Sequence, residues 1–175
     1  MKTNYSDEEW RLVSAIPQLI SYAVASAAYS GVLGTAKEAL ASMKGMIEGT
    51  ELYGDNGLIG SIAPDQGDME AAKEASLANK SYLEALKNDY GVVSKEDMSA
   101  LTLKKTQEAL ALIDERELEK VAVEFRHWVY QIGENVSNAA KEGGFLGFGG
   151  TRVSEGEATF LKSLKEVLAI DSHPL

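Results

Sequence analysis

Residues 118–140 read LEKVAVEFRHWVYQIGENVSNAA, and this stretch decides the fold. Its apolar residues recur at spacings of three and four, the period of one face of an α-helix. They are Leu118, Val121, Ala122, Phe125, Trp128, Val129, Ile132, Val136, Ala139 and Ala140. So long a stripe needs several partner helices to cover it, so we expect the central helix of an all-α core here.

Helix starts elsewhere in the chain are marked by capping boxes, in which Ser or Thr is followed three residues later by Glu or Asp. The pairs are Ser6 with Glu9, Thr35 with Glu38, Ser94 with Asp97 and Ser154 with Glu157. The first box predicts a helix over 7–29. Because Pro17 removes an amide donor and crowds the preceding turn, we expect a kink or a short break near Ala15 and Ile16.

The next part of the chain predicts two helices separated by a loop. The Thr35 box opens a helix that should end near Gly49. The segment 54–67 holds four glycines and a proline, so it is expected to be the longest loop. A helix then follows over 68–90 and ends at Gly91.

The Ser94 box opens a helix whose end leaves two alternatives. Its apolar residues include Met98, Leu101, Leu110 and Ile113. Neither Pro nor Gly enforces a stop at Asp114, so one continuous helix over 95–142 is one alternative. A break near Asp114 is the other, and ordinary helix lengths favour it.

The last part of the chain predicts a glycine-rich interhelical turn over 143–153 and a final helix opened by Ser154. The apolar face of that helix comprises Phe160, Leu161, Leu164, Val167 and Leu168. Residues 171–175 are expected to form a loose tail. The whole chain, 1–175, is therefore predicted to be a single all-α domain, a bundle of about five to six helices.

A weak internal repeat suggests two pseudo-symmetric helical hairpins. A shift of 113 residues aligns 30–34 with 143–147, and each segment lies between helical stretches. The alternative is that small residues recur wherever helices end and pack closely, and composition favours it. Superposition of 7–48 on 118–168 would decide between them.

Composition excludes several classes of function. The chain has no cysteine, which excludes disulfides, thiolate nucleophiles, zinc fingers and iron–sulfur ligation. Its formal charge of −10 opposes binding to nucleic acid or anionic membranes, so we expect neither as a partner. No apolar run is long enough to span a bilayer and the first residues lack a signal-peptide pattern, so we expect a cytoplasmic protein.

The glycine-rich turn is the candidate ligand site. Backbone amides near the start of the Ser154 helix could hold a small molecule or an anion. The candidate residues are Gly144, Gly147, Gly149, Gly150, Thr151 and Arg152. The turn follows a helix and lacks the Lys-Ser/Thr ending, so neither a P-loop nor a dinucleotide fingerprint is indicated. Alternatively, the glycines cap the preceding helix while Phe145, Leu146 and Phe148 fill the core.

A second candidate is the Glu-x-x-His pair of Glu124 and His127, whose spacing places two metal ligands on one helix face. Di-iron bundles need a second pair, and the other histidine, His173, lies in the tail. A packing role for His127 is therefore favoured. No Ser-His-acid set or nucleophile elbow is indicated either. We predict no catalytic residue, no bound metal and no cofactor.

Several segments together resemble a family of uncharacterised bacterial and archaeal proteins of about this length. They are Glu8-Glu9-Trp10, the turn 30–34, and 139–150 (AAKEGGFLGFGG) leading to the Ser154 box. The resemblance implies a helical fold and supports a break near Asp114. It implies no activity and no site residues.

Three hypotheses for the function follow, in order of preference. The first is a non-enzymatic helical interaction protein that self-associates as a homo-oligomer or binds another protein. It is preferred because the predicted helices are strongly amphipathic and no catalytic pattern is indicated. The second is a small-molecule or anion binder at the glycine-rich turns. The third is a metal protein or enzyme centred on Glu124 and His127.

Overall fold

The computed structural model of the chain describes residues 4–28, 32–63, 69–141 and 154–170. Within these ranges the chain forms seven α-helices and no strand, which confirms the predicted all-α bundle and adds one helix to it. The helices are α1 (Asp7–Ala27), α2 (Val32–Leu52), α3 (Gly57–Ile62), α4 (Met69–Asp89), α5 (Lys95–Arg116), α6 (Glu119–Lys141) and α7 (Glu155–Val167).

Three of the four predicted capping boxes are formed. Ser6, Ser94 and Ser154 each accept a hydrogen bond from the backbone amide three residues later, and the carboxylate there accepts one from the amide of the serine. The predicted box at Thr35 is wrong, because α2 already begins at Val32 and Thr35 lies inside it. A capping pattern is local, and it cannot show that a helix has already begun one turn earlier.

Helix α1 runs unbroken through Pro17, so the short break expected near Ala15 and Ile16 does not occur. The side chains of Ile16 and Ile20, on either side of the proline, are completely buried. The Ser21 hydroxyl donates to the Pro17 carbonyl oxygen at 2.8 Å. Burial of the flanking turns thus holds the helix together across the amide that proline cannot supply.

Helix α2 packs closely against α6 because it carries glycine at 45 and 49. The Trp128 side chain is completely buried, and its indole Nε1 donates to the Gly45 carbonyl at 3.3 Å. A Cβ atom at position 49 would overlap the Trp128 indole. The predicted end of the helix at Gly49 is therefore wrong: α2 extends to Leu52, and this glycine serves the close approach of a neighbour.

The predicted loop 54–67 contains α3, which is a further correction. Asn56 caps this helix, its Oδ1 accepting hydrogen bonds from the amides of Leu58 and Ile59 at 3.1 Å each. Its Nδ2 donates to the Val121 carbonyl at 3.2 Å and to Glu124 Oε2 at 2.9 Å. One buried amide thus caps α3 and ties it to α6.

The break between α5 and α6 falls at Glu117 and Leu118, so the two-helix alternative is confirmed. Leu118 is 77% exposed, and its assignment to the buried stripe is wrong because it precedes the first turn of α6. The remaining large residues of the stripe are buried or partly buried, and the completely buried ones are Phe125, Trp128, Val129 and Ile132.

The outer helices agree closely with prediction. Helix α4 is followed by Gly91, which has φ +61°, the left-handed conformation that glycine adopts at helix ends. The last helix buries Phe160 and Leu164, with Leu168 at its end. The turn 143–153 and the tail 171–175 lie outside the described residues, and the predicted hairpin repeat, whose turns lie there in part, stays a prediction.

Candidate interaction surface

The candidate ligand residues Gly144, Gly147, Gly149, Gly150, Thr151 and Arg152 all lie outside the described residues, so their role stays a prediction. The structure does describe what flanks them. The Ser154 hydroxyl lies 3.4 Å from the Ala27 carbonyl oxygen, to which it donates. The end of α1 therefore meets the start of α7.

The start of α7 already holds negative charge. Glu157 is only 3% exposed, and its Oε2 accepts from the Ser154 amide at 2.9 Å. Its Oε1 is buried and has no hydrogen-bond partner among the described residues. Glu155 adds a second carboxylate to the same turn. Two carboxylates favour a ligand that donates hydrogen bonds over an anion.

The pair Glu124 and His127 shows no sign of a metal centre in the described parts of the chain. The Glu124 carboxylate accepts from Asn56 and pairs with Lys120 Nζ at 3.7 Å. His127 is partly buried on the same helix. Across residues 4–28, 32–63, 69–141 and 154–170, no group of three His, Cys, Asp or Glu side chains could hold a metal ion.

Two exposed apolar residues, Tyr90 and Val93, lie at the junction of α4 and α5, where the surface forms a cleft. We call this the corner surface, and it comprises Tyr90, Val92, Val93, Asp97, Ala100, Leu101 and Lys104. The Val93 side chain is 93% exposed and that of Tyr90 is 46% exposed. Large apolar side chains on a surface patch are typical of contact sites.

The local backbone fixes Val93 in this outward position. After Gly91 the Val92 amide donates to the Lys87 carbonyl at 2.8 Å, which closes the end of α4. Asp97 Oδ2 then accepts from the amides of Val93 and Ser94, at 3.2 and 3.0 Å. Val93 is thus held between a helix end and a capping box.

Beside Val93 lies a shallow cleft of about 240 Å³, lined by Tyr90, Val92, Asp97, Ala100, Leu101 and Lys104. Pockets for drug-sized ligands usually have about 300–1,000 Å³ and enclose most of the ligand. This cleft is smaller and open. Its size suits a single side chain of a protein partner.

Two lysines flank the Tyr90 ring. The ammonium groups of Lys104 and Lys105 lie 5.0 and 4.9 Å from its centroid, within the range of cation–π attraction. Lys105 is only 8% exposed, and its Nζ donates to Glu108 at 2.7 Å. Burial lowers the pKa of Lys105, but the interactions with Glu108 and Tyr90 together outweigh it and leave the pKa raised. Lys105 is therefore engaged within the chain, whereas Lys104 lies at the rim of the cleft.

The charge around the corner surface differs from that of the whole chain. Residues 84–108 carry four lysines and five carboxylates, a net charge of −1. The chain as a whole carries −10. The lysines are Lys87, Lys95, Lys104 and Lys105, and the acids are Glu84, Asp89, Glu96, Asp97 and Glu108. This is a nearly neutral region of an acidic protein.

No family model, curated protein or solved structure matches the chain. The resemblance to the bacterial and archaeal family therefore stays a prediction. In the part of the chain that the structure describes, no helix is long and apolar enough to cross a membrane.

Sequence reasoning missed the corner surface. The signal that could have found it is the pair Val92-Val93, which lies between a helix-ending glycine and the capping Ser94. Two apolar residues in such a short connection cannot both be buried easily. In the structure Val92 is partly buried and Val93 is not.

Proposed function

We propose that this chain is a non-enzymatic helical interaction protein that self-associates, with the corner surface as its contact. The observation that carries the proposal is Val93, 93% exposed beside an open cleft. Complete burial of a valine or similar side chain is worth about 1.5–3 kcal/mol. Burial of Val93 in a contact with a partner would contribute free energy of this size to association.

Charge favours the same surface. Two copies that each carry −10 repel one another, and the repulsion is weakest where their nearly neutral regions meet. The Lys104 ammonium, at the rim of the cleft, can also attract a carboxylate of an approaching copy. The corner surface therefore combines apolar contact with a low electrostatic cost.

Light scattering over a concentration series tests the proposal. We expect the average mass of the wild-type protein to rise with concentration, and that of Val93→Asp to stay at the monomer value. Leu118→Asp is the matched control, because Leu118 is 77% exposed at the other end of α5, about 33 Å away along a helix that rises 1.5 Å per residue.

Each outcome is decisive. A wild-type protein that stays monomeric at every concentration removes self-association. Equal weakening by Val93→Asp and Leu118→Asp would show that the contact is not the corner surface.

A second candidate function is a small-molecule binder at the start of α7. It is favoured by the buried Glu157 Oε1, which has no partner among the described residues. We expect thermal stabilisation by a small amine such as ethanolamine, little by inorganic phosphate, and none by either in Glu157→Gln. An unchanged melting temperature with the amine would remove this candidate.

A cytoplasmic location is part of the proposal. Its support is the sequence, which contains no cysteine, whereas secreted domains often depend on disulfides. Fractionation of cells that express the protein tests it, and recovery outside the cytoplasm would contradict it.

A further inference from the structure

Asn56 is followed by glycine, and it is the only asparagine in the sequence that is. Asparagine is a thermolabile residue, because the backbone nitrogen of the next residue can attack its side-chain amide. Glycine favours this attack, since it has no Cβ atom to hinder the approach and its backbone turns freely. The sequence therefore places the asparagine that is most open to this reaction at the start of α3.

The fold engages both polar atoms of the Asn56 side chain. Its Oδ1 accepts hydrogen bonds from the amides of Leu58 and Ile59. Its Nδ2 donates to the Val121 carbonyl and to the Glu124 carboxylate on α6. The residue is only 2% exposed. The side-chain amide is thus held in one orientation, away from solvent.

The backbone also keeps the reacting atoms apart. The attack closes a five-membered ring, so the Gly57 nitrogen must turn towards Asn56 Cβ about the Cα–C bond. At the observed ψ of 97° that nitrogen is turned away from Cβ instead. Rotation of ψ into the reactive range would break the cap of α3. The reaction therefore requires α3 to open from α6.

We propose that Asn56 is a site of spontaneous deamidation that the docking of α3 on α6 controls, and that the reaction is a one-way step. In the opened chain the Gly57 nitrogen loses its proton and bonds to Asn56 Cγ. The bond between Cγ and Nδ2 breaks, and Nδ2 takes up a proton and leaves as ammonia. Water then hydrolyses the cyclic imide at one of its two carbonyls, which gives aspartate or isoaspartate.

The product does not fit the place that the amide occupied. Nδ2 lies 2.9 Å from Glu124 Oε2 and 3.2 Å from the Val121 carbonyl oxygen, and both of these atoms are acceptors. A carboxylate oxygen in that position has no proton to donate, and it repels the Glu124 carboxylate. Isoaspartate also adds a backbone carbon at the cap. A copy that has reacted therefore does not return α3 to its place.

Deamidation rates of the full chain test the protection. The protein is incubated at mildly alkaline pH in buffer and in urea, and mass spectrometry of the peptide that spans Asn56 follows the conversion of amide to acid. We expect a rate at least tenfold lower in buffer, because the reaction waits for local opening. Gly57→Ala should slow the reaction in urea, which identifies the attacking nitrogen. Equal rates in buffer and in urea would overturn the protection.

A second pair of variants tests whether the contact with α6 provides the control. Glu124→Ala removes one acceptor of Asn56 Nδ2, so it should speed deamidation in buffer and leave the rate in urea unchanged. The matched control is Glu134→Ala, which removes an exposed carboxylate from the same helix and should change neither rate. Circular dichroism confirms that both variants are as helical as the wild type. If Glu124→Ala does not speed the reaction in buffer, docking on α6 does not control it.

The one-way step is tested on the product itself. Asn56→Asp should melt at a lower temperature than the wild type, and adding Glu124→Gln should restore part of the loss, because one of the two like charges is removed. Asn88→Asp adds the same charge at an exposed asparagine and should have little effect. If Asn56→Asp melts at the wild-type temperature, the product redocks and the one-way step is wrong.

Discussion

The N-terminal half of α5, called the open end below, and its C-terminal end, called the closed end, are built from similar residues but differ in exposure. At each end a tyrosine ring lies close to a cation: Tyr5 beside Arg116 at 5.5 Å, and Tyr90 beside Lys104 at 5.0 Å. Tyr5 is 8% exposed, whereas Tyr90 is 46% exposed. One end is closed within the chain and the other remains open.

The geometry of the two cations explains much of the difference in exposure between Tyr5 and Tyr90. The Arg116 guanidinium donates to both oxygens of Glu9 at 2.6 Å each and to the Asn4 carbonyl at 3.0 Å. The Tyr5 hydroxyl donates to Glu117 at 3.0 Å. A planar guanidinium can form such a fork and stack on a ring at the same time, but an ammonium cannot. The closed end therefore uses its polar groups internally, whereas the open end leaves Tyr90 and Val93 exposed.

The largest expected difference between the two ends lies in their tyrosines. Tyr5→Ala removes a buried ring and should lower the free energy of unfolding by about 3 kcal/mol. Tyr90→Ala should lower it by less than about 1 kcal/mol, because the ring is half exposed. Urea unfolding of both variants in dilute solution measures this, and equal losses would contradict the distinction between a closed and an open end.

A smaller effect is expected from the cations. Arg116→Lys keeps the charge but loses the two-pronged hydrogen bond to Glu9, so its melting temperature should fall, though by less than that of Tyr5→Ala. Lys104→Ala should leave the melting temperature of dilute protein nearly unchanged. A larger fall in melting temperature for Lys104→Ala than for Arg116→Lys would contradict this expectation.

Acid should weaken the closed end in a defined range of pH. Hydrogen bonds from Arg116 and Ser6 lower the pKa of Glu9 from its ordinary 4.5 to about 2. Since the folded-state pKa is the lower one, the stabilisation is complete above pH 4.5 and is lost as the pH falls towards 2. The difference in melting temperature between wild type and Glu9→Gln should shrink over that range.

Asp97 offers a matched test of acid sensitivity at the open end. Hydrogen bonds from Ser94 and the Val93 backbone lower the pKa of Asp97 as well. The difference in melting temperature between wild type and Asp97→Asn should therefore also shrink as the pH falls. It should shrink by less than the difference between wild type and Glu9→Gln. A constant difference between pH 5 and pH 2 for both Glu9→Gln and Asp97→Asn would contradict this account.

The smallest effect on the monomer is expected at Val93. Because its side chain lies almost entirely in solvent, Val93→Asp should change the free energy of unfolding by about 0.5 kcal/mol or less. The wild-type melting temperature should nevertheless rise with protein concentration, since association stabilises the folded state. Scanning calorimetry at several concentrations tests whether Val93→Asp abolishes that rise.

Much of the fold was predictable because its signals are local. The boxes at Ser6, Ser94 and Ser154 each act within four residues, and the stripe of α6 repeats over many turns. The same locality explains the errors. The Thr35 pattern lies inside α2. Leu118 matches the spacing of the stripe but lies one residue before the start of α6.

The remaining features depend on neighbours distant in sequence. Gly49 resembles a helix end in the sequence, but in the structure the Trp128 indole, 79 positions later, occupies the space that a Cβ atom at position 49 would take. Asn56 resembles a loop residue in the sequence, but in the structure its side-chain amide donates hydrogen bonds to Val121 and Glu124.

The corner surface could not be predicted for a similar reason. Apolar residues such as Val92 and Val93 are ordinarily read as part of the core, and only packing decides which one remains outside. The predicted ligand residues around the glycine-rich turn remain untested, because they lie outside the described part of the chain.

The contact of Trp128 with Gly45 also has a spectroscopic consequence. The chain contains two tryptophans, and the other, Trp10, is partly buried near Tyr5. In a Trp10→Phe protein all indole fluorescence would come from Trp128, which lies in an apolar environment at the junction of α2 and α6. A red shift of its emission would then signal the separation of these two helices, so the protein carries an intrinsic optical probe of the contact between α2 and α6.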